Sequence, residues 1–278
     1  MHPNWIGLIC AGLALVAFSL GYRMAVTRTK RFRILLAILL IIWAIPGASF
    51  ASYYAHVFQE PGWYYEFRSW RGSECVLIVL GLAGGLVASL LPRVLLVIPL
   101  LGVALFAFVP FLKPIIGPIP DDDLRDRWDG EICLQSTGST CGAASVATIL
   151  RSCGESVTER QLARDAYSYN AGTEVWYLAR AVRARGFGTR FIISTGFDEN
   201  IPLPALAGVR LGGVGHFIAI LSRDGDRFRV GEPCSGMRIL SPKELRKQYT
   251  FTGFYMPVTK KRKIHSNGPS CSIVQDYP

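Results

Sequence analysis

The chain has 278 residues, a formal charge of +10 and a mean hydropathy of +0.30, with half of its residues hydrophobic. Such a composition argues against a wholly water-soluble protein. Beyond Pro118 basic and acidic residues nearly balance, so the positive charge gives no support to nucleic-acid binding.

Four apolar runs, at 5–22, 34–57, 75–91 and 94–112, come close to the ~20 residues that span a bilayer. They predict four transmembrane helices within 1–117. The first is expected to be retained, because residues 1–4 lack a cationic start and no small-residue cleavage site follows. The first loop carries Arg23, Arg28, Lys30, Arg31 and Arg33, and Arg93 joins the third and fourth runs. The second loop mixes charges and is rich in Trp and Tyr, as at an outer interface. By the positive-inside rule, the N terminus and everything after Pro118 lie outside the cytoplasm of an inner-membrane protein.

Residues 118–130, proline-rich and then acidic, read as a linker, 131–258 as a folded domain, and 259–278 as a basic, disordered tail. The cluster Lys260, Lys261, Arg262 and Lys263 reads as solvated or resting on anionic lipid. Within the domain, C-G-A-A-S-V-A-T-I-L predicts a helix from Cys141, and Thr158 with Gln161 a capping box for a second. A third runs from about Thr173 to Gly186, with Arg180, Arg183 and Arg185 toward its favourable C-terminal end. The period then changes to short strands at 190–194, 204–210, 215–222, 226–233 and 251–258, with R-D-G-D as a hairpin turn. Ser241, Pro242 and Glu244 cap a further short helix. Helices first and strands afterwards predict an α+β domain, the helices packed on an antiparallel sheet.

The chemistry centres on Cys141. A thiol at a helix N terminus gains thiolate stabilisation from oriented backbone N–H groups. Gly142 is expected to let a substrate approach, and Gln135 could put its amide beside an oxyanion. Of the two histidines in this half, His265 falls in the tail, which leaves His216 as proton carrier. Glu232, sixteen residues on, would meet His216 across the antiparallel hairpin. That arrangement follows the logic of an acyl-transfer triad. Asp224 and Asp226 are the fallback acids.

Q-S-T-G-S-T-C-G-A-A-S, then G-H-F-I-A-I-L, then V-G-E-P resemble the papain-like double-glycine peptidases, the bacteriocin-processing family. The resemblance implies a papain-like cysteine peptidase fold, with Gln135 completing the oxyanion hole, Cys141 as nucleophile, His216 as general acid/base and the acid at position 232. It implies no cofactor, a peptide or protein substrate, and a transporter or secretion partner. The chain departs from the family in having Glu rather than Asp before the Pro, in following membrane spans, and in lacking a P-loop, so double-glycine specificity is not carried over. The expected function is a membrane-anchored cysteine peptidase in contact with membrane lipid. The alternatives are a peptide-binding module without turnover and an amidase acting on cell-wall peptides. Cys133, Cys153, Cys234 and Cys271 form an even set for disulfides outside the cytoplasm. A zinc site is not expected, because no C-x-x-C spacing occurs and His216 cannot serve both roles.

Overall fold

The computed structural model describes residues 3–55 and 60–260. Three helical stretches, Trp5–Val26 (α1), Lys30–Ser52 (α2) and Arg93–Ile116, are long and apolar enough to cross a membrane. The last consists of a single 3-10 turn followed by α5 (Val97–Ile116). The run expected to span at 75–91 differs. It forms α4 (Val76–Ala88), 13 residues or about 20 Å long, short of the ~30 Å hydrocarbon layer. It passes as a span only together with α3 (Gly62–Ser69), from which Ser73–Ala88 is bent by 97°.

Glycine explains how α4 seats. A Cβ at Gly81 would fall 1.9 Å from the Ala14 carbonyl oxygen, and one at Gly85 2.0 Å from that of Phe18. The G-x-x-x-G spacing therefore lets α4 and α1 touch backbone to backbone, the close packing that replaces the hydrophobic effect among apolar helices.

The acidic segment expected as a linker is pinned down. Asp121 pairs with Arg164 at 2.6 Å, and Asp126 accepts the Arg160 backbone N–H at 2.8 Å. Strand β1 (Arg127–Asp129) already pairs with β2 (Ile132–Leu134), so folded structure begins inside 118–130. Three helices follow: α6 (Cys141–Ser152), α7 (Glu159–Asp165) with both bonds of the Thr158/Gln161 capping box, and α8 (Val175–Ala184). The strands are β3 (Phe187–Thr189), β4 (Ile192–Ile193), β5 (Ala205–Leu211), β6 (Val214–Asp224), β7 (Arg227–Glu232), β8 (Gly236–Leu240) and β9 (Thr250–Lys260). Between β8 and β9 lies α9 (Pro242–Gln248), with the Ser241/Glu244 capping box complete.

The sheet is antiparallel in the order β3-β9-β5-β6-β7-β8, with β4 also on β9. Alternation along β6 shows its two faces: Ala219 and Leu221 join the core under α6 and α8, while Ile218 and Ile220 join a second core with Leu245 of α9. The mixed helix and sheet architecture agrees with the α+β expectation.

Arg180 and Arg183 do more than complement a helix dipole. Arg180 reaches Glu74 at 2.6 Å and the carbonyls of Arg68 and Trp70 at 2.7 Å each, while Arg183 reaches Glu66 at 2.7 Å. Asn4, capping α1, donates to Glu74 at 2.9 Å and to Tyr177 of α8 at 3.1 Å. Helix α8 is thus clamped to the apolar region by charge-assisted bonds of the strong kind. The expected disordered tail, its basic cluster beyond Lys260, His265 and Cys271 lie outside the described residues.

Candidate active site

Cys141 is the first residue of α6, and the N–H groups of a first helical turn have no intrahelical partners. The small-residue loop before it is closed by its own hydroxyls: Thr140 Oγ1 accepts the Thr137 N–H and donates to the Thr137 carbonyl, both at 3.1 Å. One turn on, Ser145 Oγ donates to the Phe217 carbonyl at 3.1 Å. Next along the helix, Thr148 Oγ1 accepts the Cys133 N–H at 2.9 Å. Two polar side chains three residues apart on one helical face, Ser145 and Thr148, therefore fasten α6 to β6 and β2. The first of these bonds sets the thiol beside the residue preceding Phe217, His216.

His216 Nε2 is hydrogen-bonded to Glu232 Oε1 at 2.7 Å, and the ring lines the same cleft as Cys141, close enough for the thiol to raise its pKa. With Nε2 engaged, Nδ1 is left for the thiol. The β6–β7 ladder runs as far as Ala219↔Gly231, so both residues stand just past its end, where a Glu side chain bridges diagonally. Glu232 is 2% exposed, and its carboxylate is held on all sides. Oε1 also accepts the Cys234 N–H at 3.2 Å, and Oε2 accepts the Tyr249 hydroxyl at 2.7 Å.

These contacts set the charges. Burial alone would push the His216 imidazole down, but the neighbouring Cys141 and the Glu232 carboxylate outweigh this and raise it to about 9. Burial would raise Glu232, but the donors His216, Tyr249 and the Cys234 N–H hold it below the usual carboxylate range. Burial, with Glu232 and Cys141 as neighbours, lifts the Cys234 thiol to about 11, so that it stays protonated at neutral pH.

Tyr249 escaped sequence reasoning, since it lies 17 residues and one helix beyond Glu232 and carries no local motif. Tyr249→Phe is expected to slow alkylation of Cys141 by iodoacetamide roughly tenfold at pH 7, the effect of one lost bond to a charged group. An unchanged rate would remove Tyr249 from the site.

The other expected residues divide. The Gln135 N–H donates to the Pro233 carbonyl at 2.8 Å, which puts Gln135 against the Glu232 turn. Its Oε1 is buried without a partner among the described residues. Asp224 and Asp226 are exposed at the hairpin turn, with Asp224 eight residues along β6 from His216, about 26 Å at ~3.3 Å per residue, out of reach of the ring. Gly142 does not open space for a substrate: a Cβ there would meet Leu178 at 3.0 Å and Phe217 at 3.4 Å. It is small because α8 packs on it. Cys133, Cys153 and Cys234 are free thiols, so no disulfide forms among them.

Among the described residues, one group has metal-ligating spacing: a nitrogen of His216, an oxygen of Glu232 and the Cys234 sulfur lie within 4.8 Å of one another. The donor types suit zinc, but an ion there would take up the groups that form the His216–Glu232 pair. Metal binding and the Cys141–His216–Glu232 arrangement therefore exclude each other. If the latter is the working state, EDTA is expected to leave peptide hydrolysis undiminished, and a loss of activity that zinc restores would reverse this assignment.

The family model described as Peptidase C39 family matches residues 129–263. An uncharacterized protein of Methanothermobacter marburgensis is 32% identical over 108 residues, 39% of this chain and 75% of the relative. The probable functional amyloid protease FapD of Pseudomonas aeruginosa is 25% identical over 146 residues, 47% of this chain and 58% of FapD. Among solved structures, the peptidase domain of Streptococcus ComA, a bi-functional ABC transporter involved in a quorum-sensing pathway, aligns at a TM-score of 0.41 with 17% identity, over 47% of this chain and 98% of that domain. The matched stretch contains the cysteine, the histidine and the carboxylate just described, and with it the chain belongs to the peptidase C39 family.

Proposed function

We propose that this chain is a membrane-anchored cysteine peptidase that hydrolyses peptide bonds through Cys141, His216 and Glu232, with its catalytic domain, 131–258, outside the cytoplasm. The observation that carries the reading is His216, which lines one cleft with the Cys141 thiol and stands 2.7 Å from a buried carboxylate. The Cys141 thiolate attacks the scissile carbonyl, and the oxyanion forms beside the first-turn N–H groups of α6 and the Gln135 amide. Collapse breaks the C–N bond. His216 gives its proton to the leaving amine and then takes one from the water that hydrolyses the thioester. Glu232 keeps the ring oriented and stabilises the imidazolium.

A His216 raised to about 9 holds its proton through neutral pH, ready for the leaving amine. Hydrolysis is accordingly expected to hold up to about pH 8 and to fall as pH rises through about 9. The same shift contributes stability that is complete below the ordinary imidazole value near 6.5 and lost through about 9. The defining experiment is alkylation of the full chain in lipid nanodiscs. Iodoacetamide should modify Cys141 ahead of the other cysteines and faster than in the denatured chain; equal rates would sink the proposal.

Two features support the placement. Basic residues crowd the turn between α1 and α2. Asn4, at the start of α1, bonds to Tyr177, so the N terminus and the peptidase domain share one side of the apolar helices. That requires an even number of crossings, with the bent pair Gly62–Ser69 and Ser73–Ala88 counting as one. Glu232 bonding the His216 ring at 2.7 Å, although Glu stands where the family carries Asp, favours the peptidase over a peptide-binding module without turnover. A cell-wall amidase would use the same chemistry on another leaving group.

A further inference from the structure

The cleft in front of Cys141 and His216 holds about 700 Å³, and the sheet-and-helix half does not enclose it alone. One wall is glycine-lined, by Gly138 and Gly215, where an added Cβ would meet nothing within 4 Å. Further lining residues come from the ends of two apolar helices and the short helix between them: Tyr54 just past α2, Tyr65 on α3 and Lys113 in the last turn of α5. This second wall is tied to the peptidase half. Lys113 Nζ lies 3.1 Å from the Tyr54 ring centroid and donates to the Tyr169 hydroxyl at 3.2 Å, which in turn donates to Glu174 at 3.1 Å. Tyr65 packs on Phe254 at a centroid distance of 5.2 Å.

Tyr and Lys at the ends of apolar helices mark the depth of the membrane–water interface. The one charge in this wall, Lys113, is engaged by the Tyr54 ring and the Tyr169 hydroxyl, so the wall presents mainly aromatic side chains. A space of this volume is about 11 Å across if taken as a sphere, the reach of three to four extended residues. A peptide lying in the cleft with its scissile carbonyl at Cys141 therefore meets the interface within that distance.

Building on the peptidase reading, we propose that the ends of the apolar helices form part of the substrate site. The substrate class is a polypeptide held at the membrane surface and cut about three to four residues from its membrane-associated segment. The narrow glycine wall takes extended backbone, and the Tyr54–Lys113–Tyr65 wall takes the apolar residues that lead into the lipid.

The test uses the full chain in nanodiscs and three probes: iodoacetamide, acetyl-Leu-Ala-Gly chloromethyl ketone, and the same ketone with a palmitoyl group in place of acetyl. Each reports the rate of Cys141 labelling, and each is run on wild type, Tyr54→Ala and Lys113→Met. The palmitoyl probe is expected to label wild type at least tenfold faster than the acetyl probe. In both variants the peptide ketones should slow about tenfold relative to iodoacetamide, a ratio that partial unfolding would not lower selectively. Unchanged ratios in both variants, or no advantage for the palmitoyl probe, would overturn the membrane-side wall while leaving the peptidase reading intact. Failure of iodoacetamide to single out Cys141 in wild type would overturn that reading, and this proposal with it.

Discussion

Cys141→Ala in the full chain is expected to lower peptide hydrolysis by a factor on the order of 10⁴ or more, with the fold retained. Without the sulfur no thioester forms, and water would have to attack the carbonyl directly. The structural cost is small. The residue is 7% exposed at the very start of α6, and that helix is fastened from Ser145 and Thr148 rather than from the thiol. Paired with it, Glu232→Gln keeps the shape of the side chain but removes the charge that helps raise His216 to about 9. The alkaline limb of the hydrolysis profile should then move toward neutrality. A Cys141→Ala chain that still cleaves peptides, or a Glu232→Gln profile identical to wild type, would remove the triad from the account.

The largest expected effect on stability is at Arg180. Its guanidinium meets a carboxylate that is 1% exposed, together with the carbonyls of Arg68 and Trp70. Arg180→Ala would strand Glu74 in a dry site with Asn4 as its remaining polar contact of that kind. Breaking a buried pair from one side costs about 3–5 kcal/mol, or about 10 °C in Tm for a protein of this size. Arg180→Lys should recover only part of this, because an ammonium cannot serve the same fork of acceptors. Thermal unfolding followed by the fluorescence of the fully buried Trp176 would measure both, and a Tm within 2 °C of wild type for Arg180→Ala would refute the clamp.

What could be read from the sequence was local or chemically rare. Both capping boxes and the R-D-G-D hairpin lie within a few residues of chain, where backbone preferences decide the outcome. Cys141 and His216 stood out because a helix-start thiol and a single histidine in the ordered domain leave few combinations. Glu232 followed from hairpin arithmetic. Tyr249, Arg180 and Arg183 were illegible as site and docking residues, since their roles depend on which distant segment folds against them. Gly142 was misread for the same reason: its smallness answers Leu178 of α8. The third apolar run looked long enough by composition. Gly81 and Gly85 spend its length on backbone contact with α1, and the chain bends sharply before it.

Helix α8 holds two grips at once. Leu178 rests on Gly142, beside Cys141, and two residues later Arg180 is clamped to the turn that leads into α4. Ten residues of helix make a rod about 15 Å long. A change in bilayer thickness that tilts the apolar helices would therefore arrive at the thiol through a stiff lever, with no flexible linker to absorb it. On the proposed reading, the lipid would act on the thiol mechanically as well as fix where the domain sits.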